Sequence, residues 1–390
     1  MATNGSDMSG LGERLLDYVR KHYAPEALLD LSLVLELKFE RASALAVQQL
    51  AIETKRLYRL DAENTTPGRV KLLVLKAHGD LMTNTPFECL VEHSELEIDV
   101  LYVDATLDLN GRLPPHDVLL VAPCALDQNR AVLASLAAQL PQLSAAVINR
   151  PERIPYTSRE AAWSLLREEA GICVAHTQRV GRAELAAHAS VSSTDCVAGI
   201  AFPAIIRPVG SHAGRELERI ADSGELRAYL NKSASDAFYV ASFIDYRSRD
   251  GLYRKYRVAL IDGQAHISHM GISQHWMVHY PYEEMISHPE RRSEEAAFMA
   301  AFQQDFARRH SNALARVAEL TGLDYVGLDC AESPDGRLVI FELATAMVVH
   351  DMDDPEMFPY KSPQMRKYFD AFCAMVTRKA REGREGRVEP

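Results

Sequence analysis

The stretch that decides the fold is Tyr325-Val-Gly-Leu-Asp-Cys-Ala-Glu-Ser-Pro-Asp-Gly-Arg-Leu-Val-Ile-Phe-Glu-Leu343. Two apolar runs flank Asp335-Gly336, a dipeptide that favours a two-residue type I′ turn because both central positions need positive φ. A turn centred there places Asp329 opposite Glu342, and like charges directly opposed on a sheet repel each other at about 5 Å between Cβ atoms. The hairpin therefore predicts either a cation between the carboxylates, with Mg²⁺ as the ion that suits oxygen ligands, or a solvated edge whose acids face water. A one-residue bulge would break this pairing.

Composition limits the possible classes of function. The 390 residues are enough for two or three domains or lobes. The formal net charge of −11 argues against a general binder of nucleic acids or anionic membranes, although local charge still decides whether an anionic ligand binds. No apolar run reaches the roughly 18 residues of a membrane span. The N-terminal sequence lacks the pattern of a signal peptide, and the six cysteines are scattered without CxxC spacing, so we expect a cytoplasmic protein with reduced thiols.

The apolar pattern changes along the chain. Apolar positions at three- and four-residue steps predict helices through most of residues 12–61, including a helical run at 44–60. After a turn-rich connector, short apolar strands alternate with helical runs up to residue 148, which predicts a small α/β domain with a largely parallel sheet. A glycine-bounded loop at 210–214 then precedes a predicted helix at 215–221. The fold class is therefore α/β and α+β, with a helical N-terminal segment.

The order of the later pieces resembles the ATP-grasp superfamily between Asn149 and His350. In sequence, these are a strand ending in a cation, a glycine-bounded loop, a strand with an acidic end, a strand bearing Arg, and a last hairpin with Asp and Glu. The runs at 149–154, 273–280 and 341–350 are similar to those of bacterial ATP-grasp and TPR-linked ATP-grasp proteins; the N-terminal helices show no repeat of about 34 residues, so TPR repeats are not expected. The resemblance implies the following regions: a helical region at 1–67, a pre-ATP-grasp α/β domain at 68–150, a lid subdomain at 151–235, a C-terminal catalytic subdomain at 236–376 and a flexible tail at 377–390.

The resemblance also implies an ATP site. A cation at the end of an apolar strand is costly unless it is paired, so Arg207 either contacts phosphate, as the family implies, or pairs with a neighbouring acid. Arg159 is either a phosphate contact or an ordinary helix N-terminal residue, and the loop is either a phosphate cradle or a plain turn. Asp245, at the end of the strand that would hold adenine, is either a ribose ligand or a turn residue. The implied ATP-binding residues are Arg159, Arg207, Gly210, Ser211, His212, Gly214, Ala241, Ser242, Phe243, Ile244 and Asp245.

For metal and chemistry, the resemblance assigns Mg²⁺ to Asp329 and Glu342. It implies that Arg257 contacts the transferred phosphoryl or acyl group. The alternative is that Arg257 is a surface residue on an edge strand. The family commonly has Asn two residues after the Glu, where this chain has Ala344. Either water, phosphate or a nearby acid (Asp351 or Asp353) completes the coordination, or a second Mg²⁺ binds weakly.

The implied activity is an ATP-dependent ligase. It would activate a small carboxylate as an acyl phosphate and join it to an amine, with ATP and Mg²⁺ as cofactors and a homodimer through the N-terminal helices as an option. The alternatives are a kinase acting on a hydroxyl and a degenerate nucleotide-binding protein, which Ala344 favours. The histidines in the implied pocket either contact substrate or are simply packed or solvated side chains. The implied substrate-binding residues are His78, Asp80, Asn84, His275, Trp276, His279 and His350.

Overall fold

The structure, a computed structural model, describes residues 7–60, 68–92, 94–111, 113–143, 145–190, 195–211, 214–278 and 283–385. The chain divides into two compact units. Unit 1 comprises Met1–Pro155, Gly322–Tyr325 and Thr345–Pro390, and unit 2 comprises Tyr156–Thr321 and Val326–Ala344. The predicted domain boundaries stay predictions. Among the described residues, no helix combines the length and the apolar character needed to cross a membrane.

Helices and strands are numbered in chain order. The helices are α1 (Ser9–His22), α2 (Pro25–Leu37), α3 (Arg41–Thr54), α4 (Phe87–Leu90), α5 (Arg130–Gln139), α6 (Arg159–Leu166), α7 (Arg182–Ser190), α8 (Ser223–Lys232), α9 (Glu283–Ser287), α10 (Pro289–Ala301), α11 (Phe306–Arg309), α12 (Ser311–Thr321) and α13 (Lys361–Glu385). The strands are β1 (Leu57–Leu60), β2 (Lys71–Ala77), β3 (Glu97–Val103), β4 (Val118–Val121), β5 (Ala146–Ile148), β6 (Ile172–Val174), β7 (Thr177–Gly181), β8 (Cys196–Val197), β9 (Ile200–Ala201), β10 (Ala204–Pro208), β11 (Glu218–Ile220), β12 (Ala237–Ser242), β13 (Tyr253–Ile261), β14 (Gln264–Ser273), β15 (Tyr325–Glu332) and β16 (Leu338–Ala344).

Unit 1 contains the predicted α/β sheet, with strand order β1-β3-β2-β4-β5. Strands β2 to β5 are parallel, and the near-continuous apolar sequences of β2, β3 and β4 are buried as expected for a sheet covered on both faces. The predicted fold class is confirmed. One local prediction is wrong, because the last part of the run at 44–60 forms β1, which pairs antiparallel with β3. Tyr58 explains this difference, since its ring is buried and its hydroxyl donates to the Ala51 carbonyl at 2.9 Å, an arrangement that a continued helix would not allow.

The C-terminal segment also differs from its prediction. Residues from 377 were expected to form a flexible tail, but α13 continues to Glu385. Ala380 is buried, Lys379 pairs with Asp324 at 2.5 Å, and Arg384 pairs with Asp117 at 2.7 Å. These contacts hold a segment whose charged composition alone suggested fraying. Residues 386–390 of the predicted tail lie outside the described part.

Unit 2 contains two larger sheets, with strand orders β11-β10-β12-β7 and β14-β13-β15-β16-β6. The predicted helix at 215–221 is wrong, because part of it forms β11 and pairs antiparallel with β10. The segment has good helix formers, but Ile220 becomes buried against Ala204 when the segment is extended. Consequently the loop at 210–214 joins two strands and is not followed by a helix N-terminus.

The hairpin at 325–343 forms with a turn other than the predicted one. Ser333 donates its backbone N–H to the Arg337 carbonyl at 3.0 Å, so that three residues make the loop, and Gly336 has the positive φ of 82°. Pro334 accounts for this, since its fixed φ suits the first central position of a type I turn followed by a glycine bulge. The predicted two-residue turn is therefore wrong. A register shift between Asp329 and Cys330 nevertheless restores the predicted pairing.

Candidate functional site

The centre of the candidate site is the pair of carboxylates on β15 and β16. Asp329 and Glu342 are direct cross-strand partners, as the sequence predicted, so their side chains lie on the same face. Asp329 is only 4% exposed and Glu342 is partly buried, which contradicts the alternative of acids facing water. Two like charges in such a place need compensation, and the structure supplies it from neighbouring elements.

Two cations from β13 hold Asp329. Arg257 makes a forked contact, with Nε at 2.9 Å from Oδ1 and Nη2 at 3.1 Å from Oδ2, and Lys255 places Nζ 2.7 Å from Oδ2. Both side chains reach one face because residues two apart in a strand point the same way, and β13 is the neighbour of β15. Burial would raise the pKa of Asp329, but Arg257 and Lys255 outweigh it and hold the pKa well below its ordinary value. The carboxylate therefore stays ionised.

Arg159 holds Glu342. It is the first residue of α6, behind Ser158, whose hydroxyl caps the helix by accepting from the Ala161 N–H at 3.4 Å. The Arg159 Nη2 lies 3.0 Å from Glu342 Oε1. Burial would raise the pKa of Glu342, but Arg159 and, to a smaller extent, Arg207 and Lys255 lower it below its ordinary value. Both acids are thus ionised at neutral pH.

Arg207 lies at the end of β10 and is 9% exposed. Its Nε donates to the Ser211 hydroxyl at 3.0 Å, and its Nη2 donates to the Ser211 carbonyl. Within the described residues no carboxylate forms an ion pair with it, which disfavours the ion-pair alternative. Burial, followed by the nearby Arg159, lowers the pKa of Arg207 to about 10, a value at which it remains protonated at neutral pH. The site is therefore positively charged, with four cations around two carboxylates.

The loop after Arg207 has only partly the predicted form. Gly210 and Gly214 have positive φ of 75° and 69°, as a tight turn requires, and Ser211 is buried against Arg207. His212 lies outside the described residues. Because β11 follows the loop, no helix N-terminus adds donors here, and any phosphate contact would rest on the loop backbone and on Arg207. The ATP-binding role of this loop stays a prediction.

The predicted adenine strand has its backbone mostly engaged. Ala241 lies in β12 between Ile205 of β10 and Thr177 of β7. The next two residues are also engaged, since Ser242 donates its N–H to the His176 carbonyl at 2.9 Å and Phe243 donates to the Pro203 carbonyl at 3.3 Å. In the part of the chain that the structure describes, no hydrogen bond engages the Ile244 backbone. The roles of Ala241 and Ile244 as adenine contacts stay predictions.

Side chains near this strand form an aromatic cluster. Trp276 packs edge-on to Phe243 with ring centroids 5.9 Å apart, and Tyr246 contacts Phe341 at 4.8 Å. Asp245 pairs locally with Arg247 and accepts its backbone N–H at 3.1 Å, which is the arrangement of a turn residue. The cluster supplies an apolar wall of the kind that adenine or an organic substrate packs against.

The predicted substrate histidines of unit 2 give little support for a pocket. His275 is exposed, with its backbone N–H bonded to the Ser273 hydroxyl at 2.8 Å. His279 lies outside the described residues. Trp276, in the aromatic cluster, is the better placed of the predicted substrate residues in this segment, and all three roles stay predictions.

The predicted substrate residues in the loop after β2 are engaged within unit 1. The Asn84 side chain bonds both backbone groups of Ala77, each at 2.8 Å. Asp80 pairs with Arg41 at 2.8 Å and His78 Nε2 lies 3.0 Å from the Leu45 carbonyl. These bonds fix the loop against α3 and favour a structural role.

The remaining predicted groups lie after β16. His350 Nδ1 accepts the Met352 N–H at 3.2 Å. The two acids that one alternative assigned to the metal coordination have other partners, since Asp353 pairs with Lys361 at 3.1 Å and Asp351 accepts from Ser362 at 2.7 Å. The role of His350 as a substrate residue stays a prediction.

The donor set fits one Mg²⁺. No group of three or more potential metal-binding side chains occurs among the residues described. Asp329 and Glu342 are nevertheless ionised cross-strand partners whose carboxylates supply hard oxygen ligands. Mg²⁺ commonly uses only one or two carboxylates together with phosphate oxygens and waters. Ala344, paired with Gly327, adds no ligand. The residues fit an ion that binds together with phosphates.

Sequence reasoning missed Lys255. Its signal was the alternation Lys255-Tyr256-Arg257, which places two cations on one face of a strand, a costly arrangement without anions.

Comparisons with solved structures give matches of low identity. The chain is similar to the RimK domain protein ATP-grasp from Sphaerobacter thermophilus DSM 20745, with 18% identity, a TM-score of 0.45, and coverage of 79% of this chain and 100% of that chain. It is also similar to VanG D-Ala:D-Ser ligase from Enterococcus faecalis, with 12% identity, a TM-score of 0.49, and coverage of 80% and 99%. It is also similar to D-alanine–D-alanine ligase from Bacillus anthracis complexed with ATP, with 14% identity, a TM-score of 0.47, and coverage of 81% of this chain and 99% of that chain. No protein-family model matches the sequence, and no curated protein matches it.

Proposed function

We propose that this chain is an ATP-grasp enzyme that uses ATP to activate a small carboxylate and join it to an amine. The observation that carries the proposal is the charge arrangement of unit 2. Four cations surround two ionised carboxylates, of which Asp329 is buried and Glu342 is partly buried, and Arg207 has no described acidic partner. Such a surplus of positive charge beside hard oxygen ligands suits the phosphates of a nucleotide. The order of these residues in the sequence is the one that resembles the superfamily.

The residues have distinct roles in this proposal. Arg207 and the Ser211 loop bind phosphate oxygens, and the Ile244 backbone and Trp276 contact the base. Asp329 and Glu342 would hold Mg²⁺, which supplies charge neutralisation on the phosphates when it is bound.

In the reaction, a substrate carboxylate oxygen attacks the γ-phosphorus, and the bond from that phosphorus to the bridging oxygen of ADP breaks. An amine then attacks the acyl carbon, and phosphate leaves. Arg257 stabilises the charge that develops on the transferred group, and the protein otherwise contributes positioning.

The test is ATP consumption against a panel of amino acids and small carboxylates, with hydroxylamine present to trap acyl phosphate. Hydroxamate together with ADP supports the ligase. Arg257→Met should lower this turnover by about 10²-fold or more. Arg254→Met is the matched control, since Arg254 lies on the same strand but pairs with Asp250 and Glu294.

Two other outcomes would contradict the proposal. A phosphorylated alcohol in place of hydroxamate would identify a kinase. Nucleotide binding without turnover for any member of the panel would favour the degenerate alternative.

A further inference from the structure

Asp329 has more positive partners than its charge requires. The forked contact from Arg257 already neutralises the carboxylate, and Lys255 adds a second cation at 2.7 Å from Oδ2. Three donors therefore occupy a group that offers about four lone-pair sites. Lys255 is surplus to the ion pair, and its position needs another explanation.

A divalent cation would find this carboxylate hard to approach. With Lys255 and Arg257 in contact, the ion would lie within a few ångströms of two positive charges in a site where Asp329 is 4% exposed. Repulsion of this kind is several times stronger near a protein interior than in water. The carboxylate is ionised, but its oxygens are engaged.

Nucleotide phosphates would change this balance. They bring several negative charges and offer Lys255 a new acceptor, and its flexible stem with one terminal charge moves more readily than the planar guanidinium of Arg257. The Lys255 side chain is 22% exposed, and its Nζ also lies 3.4 Å from the Val278 carbonyl. A second acceptor is therefore within reach when the ammonium leaves Asp329.

We propose that Lys255 is a positioning residue that occupies Asp329 in the nucleotide-free protein, so that the divalent metal ion binds only together with nucleotide. This inference rests on the proposed function, because it takes the nucleotide phosphates as the anion that draws Lys255 away. It assigns Lys255 a role in the order of binding and not in the chemical step.

The test measures Mn²⁺ binding by electron paramagnetic resonance without nucleotide and with saturating ADP, after correction for Mn²⁺ held by free ADP. Wild type should bind Mn²⁺ at least about tenfold more weakly without ADP than with it. Lys255→Met should tighten the nucleotide-free binding about tenfold or more, whereas Lys255→Arg, which keeps the charge, should not. Arg254→Met is the control for loss of one charge from the same strand, and it should behave like wild type.

Equal Mn²⁺ affinity of wild type with and without ADP would overturn the inference, and so would nucleotide-free binding unchanged in Lys255→Met. If circular dichroism shows that Lys255→Met is unfolded, the inference is decided by Lys255→Gln and by the wild-type affinities with and without ADP. ADP binding is followed separately by calorimetry. Failure of ADP to bind contradicts the proposed function, while tighter nucleotide-free Mn²⁺ binding in Lys255→Met would still support competition at Asp329.

Discussion

Replacing Arg207 with Met should stabilise the free protein and weaken nucleotide binding. Burial and the nearby Arg159 lower the pKa of Arg207 from its ordinary 12.5 to about 10. At about 1.36 kcal/mol per pH unit, this difference disfavours the charged form in the folded state by roughly 3 kcal/mol. Because the folded pKa is the lower one, the full penalty is present below about pH 10, including neutral pH, and it is relieved only as pH rises above that value.

Lost hydrogen bonds offset part of this gain. The guanidinium donates to the hydroxyl and the carbonyl of Ser211, and each bond contributes about 1 kcal/mol. We therefore expect the free energy of unfolding of Arg207→Met to rise by about 1 kcal/mol at pH 7.5. Urea denaturation measures this difference.

The same assay with nucleotide tests the function of Arg207. A ligand at a hundred times its Kd stabilises a protein by about 2.7 kcal/mol, and losing a charge-assisted contact of about 2 kcal/mol would reduce that stabilisation to below about 1 kcal/mol. Arg182→Met is the matched control, because Arg182 donates to the Ser235 carbonyl at 2.7 Å and to the Leu230 carbonyl at 3.0 Å. It should destabilise the protein but leave the effect of nucleotide intact. Arg207 would instead have a structural role if the free energy of unfolding of Arg207→Met fell by more than about 1 kcal/mol while nucleotide kept its full stabilising effect. That result would contradict the prediction.

Three further predictions concern other parts of the molecule. Asp329→Asn should lower the free energy of unfolding by about 3 kcal/mol at neutral pH, because it leaves two partly buried cations without an anion. The lowered pKa of Asp329 contributes stability that is lost as pH falls below about 4, so urea denaturation should show the two proteins converging in acid. Gln48→Ala should lower stability by about 2 kcal/mol in thermal denaturation, because the amide bonds both backbone groups of Gly79, whereas Gln49→Ala on the exposed side should have almost no effect. Ala344→Asn should tighten Mg²⁺ binding in the presence of ADP about tenfold by calorimetry, and an unchanged affinity would show that this position does not face the metal.

Local patterns predicted much of the fold. The apolar runs of unit 1 predicted a largely parallel sheet, because strands buried on both faces need continuous apolar sequence. Asp262-Gly263 forms the turn between β13 and β14 with φ of 53° and 75°, as such a dipeptide predicts. In both cases the residues that carry the sequence pattern are the same residues that form the structure.

The sequence was less informative where distant residues decide the outcome. The segment at 215–221 has helical propensity, and only the edge of β10 makes its strand conformation favourable. Likewise, the contact between Lys255 and Asp329 joins strands far apart in the chain, so the sequence of β13 alone did not show the partner of Lys255. Arg159 was predicted at the site from the family resemblance, yet its contact with Glu342 came only from the structure.

The pairing of Asp329 with Glu342 was predicted correctly although the predicted turn was wrong. The ladder near the turn pairs Cys330 with Ile340, and continuing it unchanged would place Phe341 opposite Asp329 and turn Glu342 to the other face. The bulge leaves Phe341 as the extra residue, packed against Tyr246 at 4.8 Å, and brings Glu342 opposite Asp329. The three-residue turn and the bulge therefore compensate each other. The bulge, and not the turn, sets the geometry of the carboxylates on which the proposed metal and nucleotide site depends.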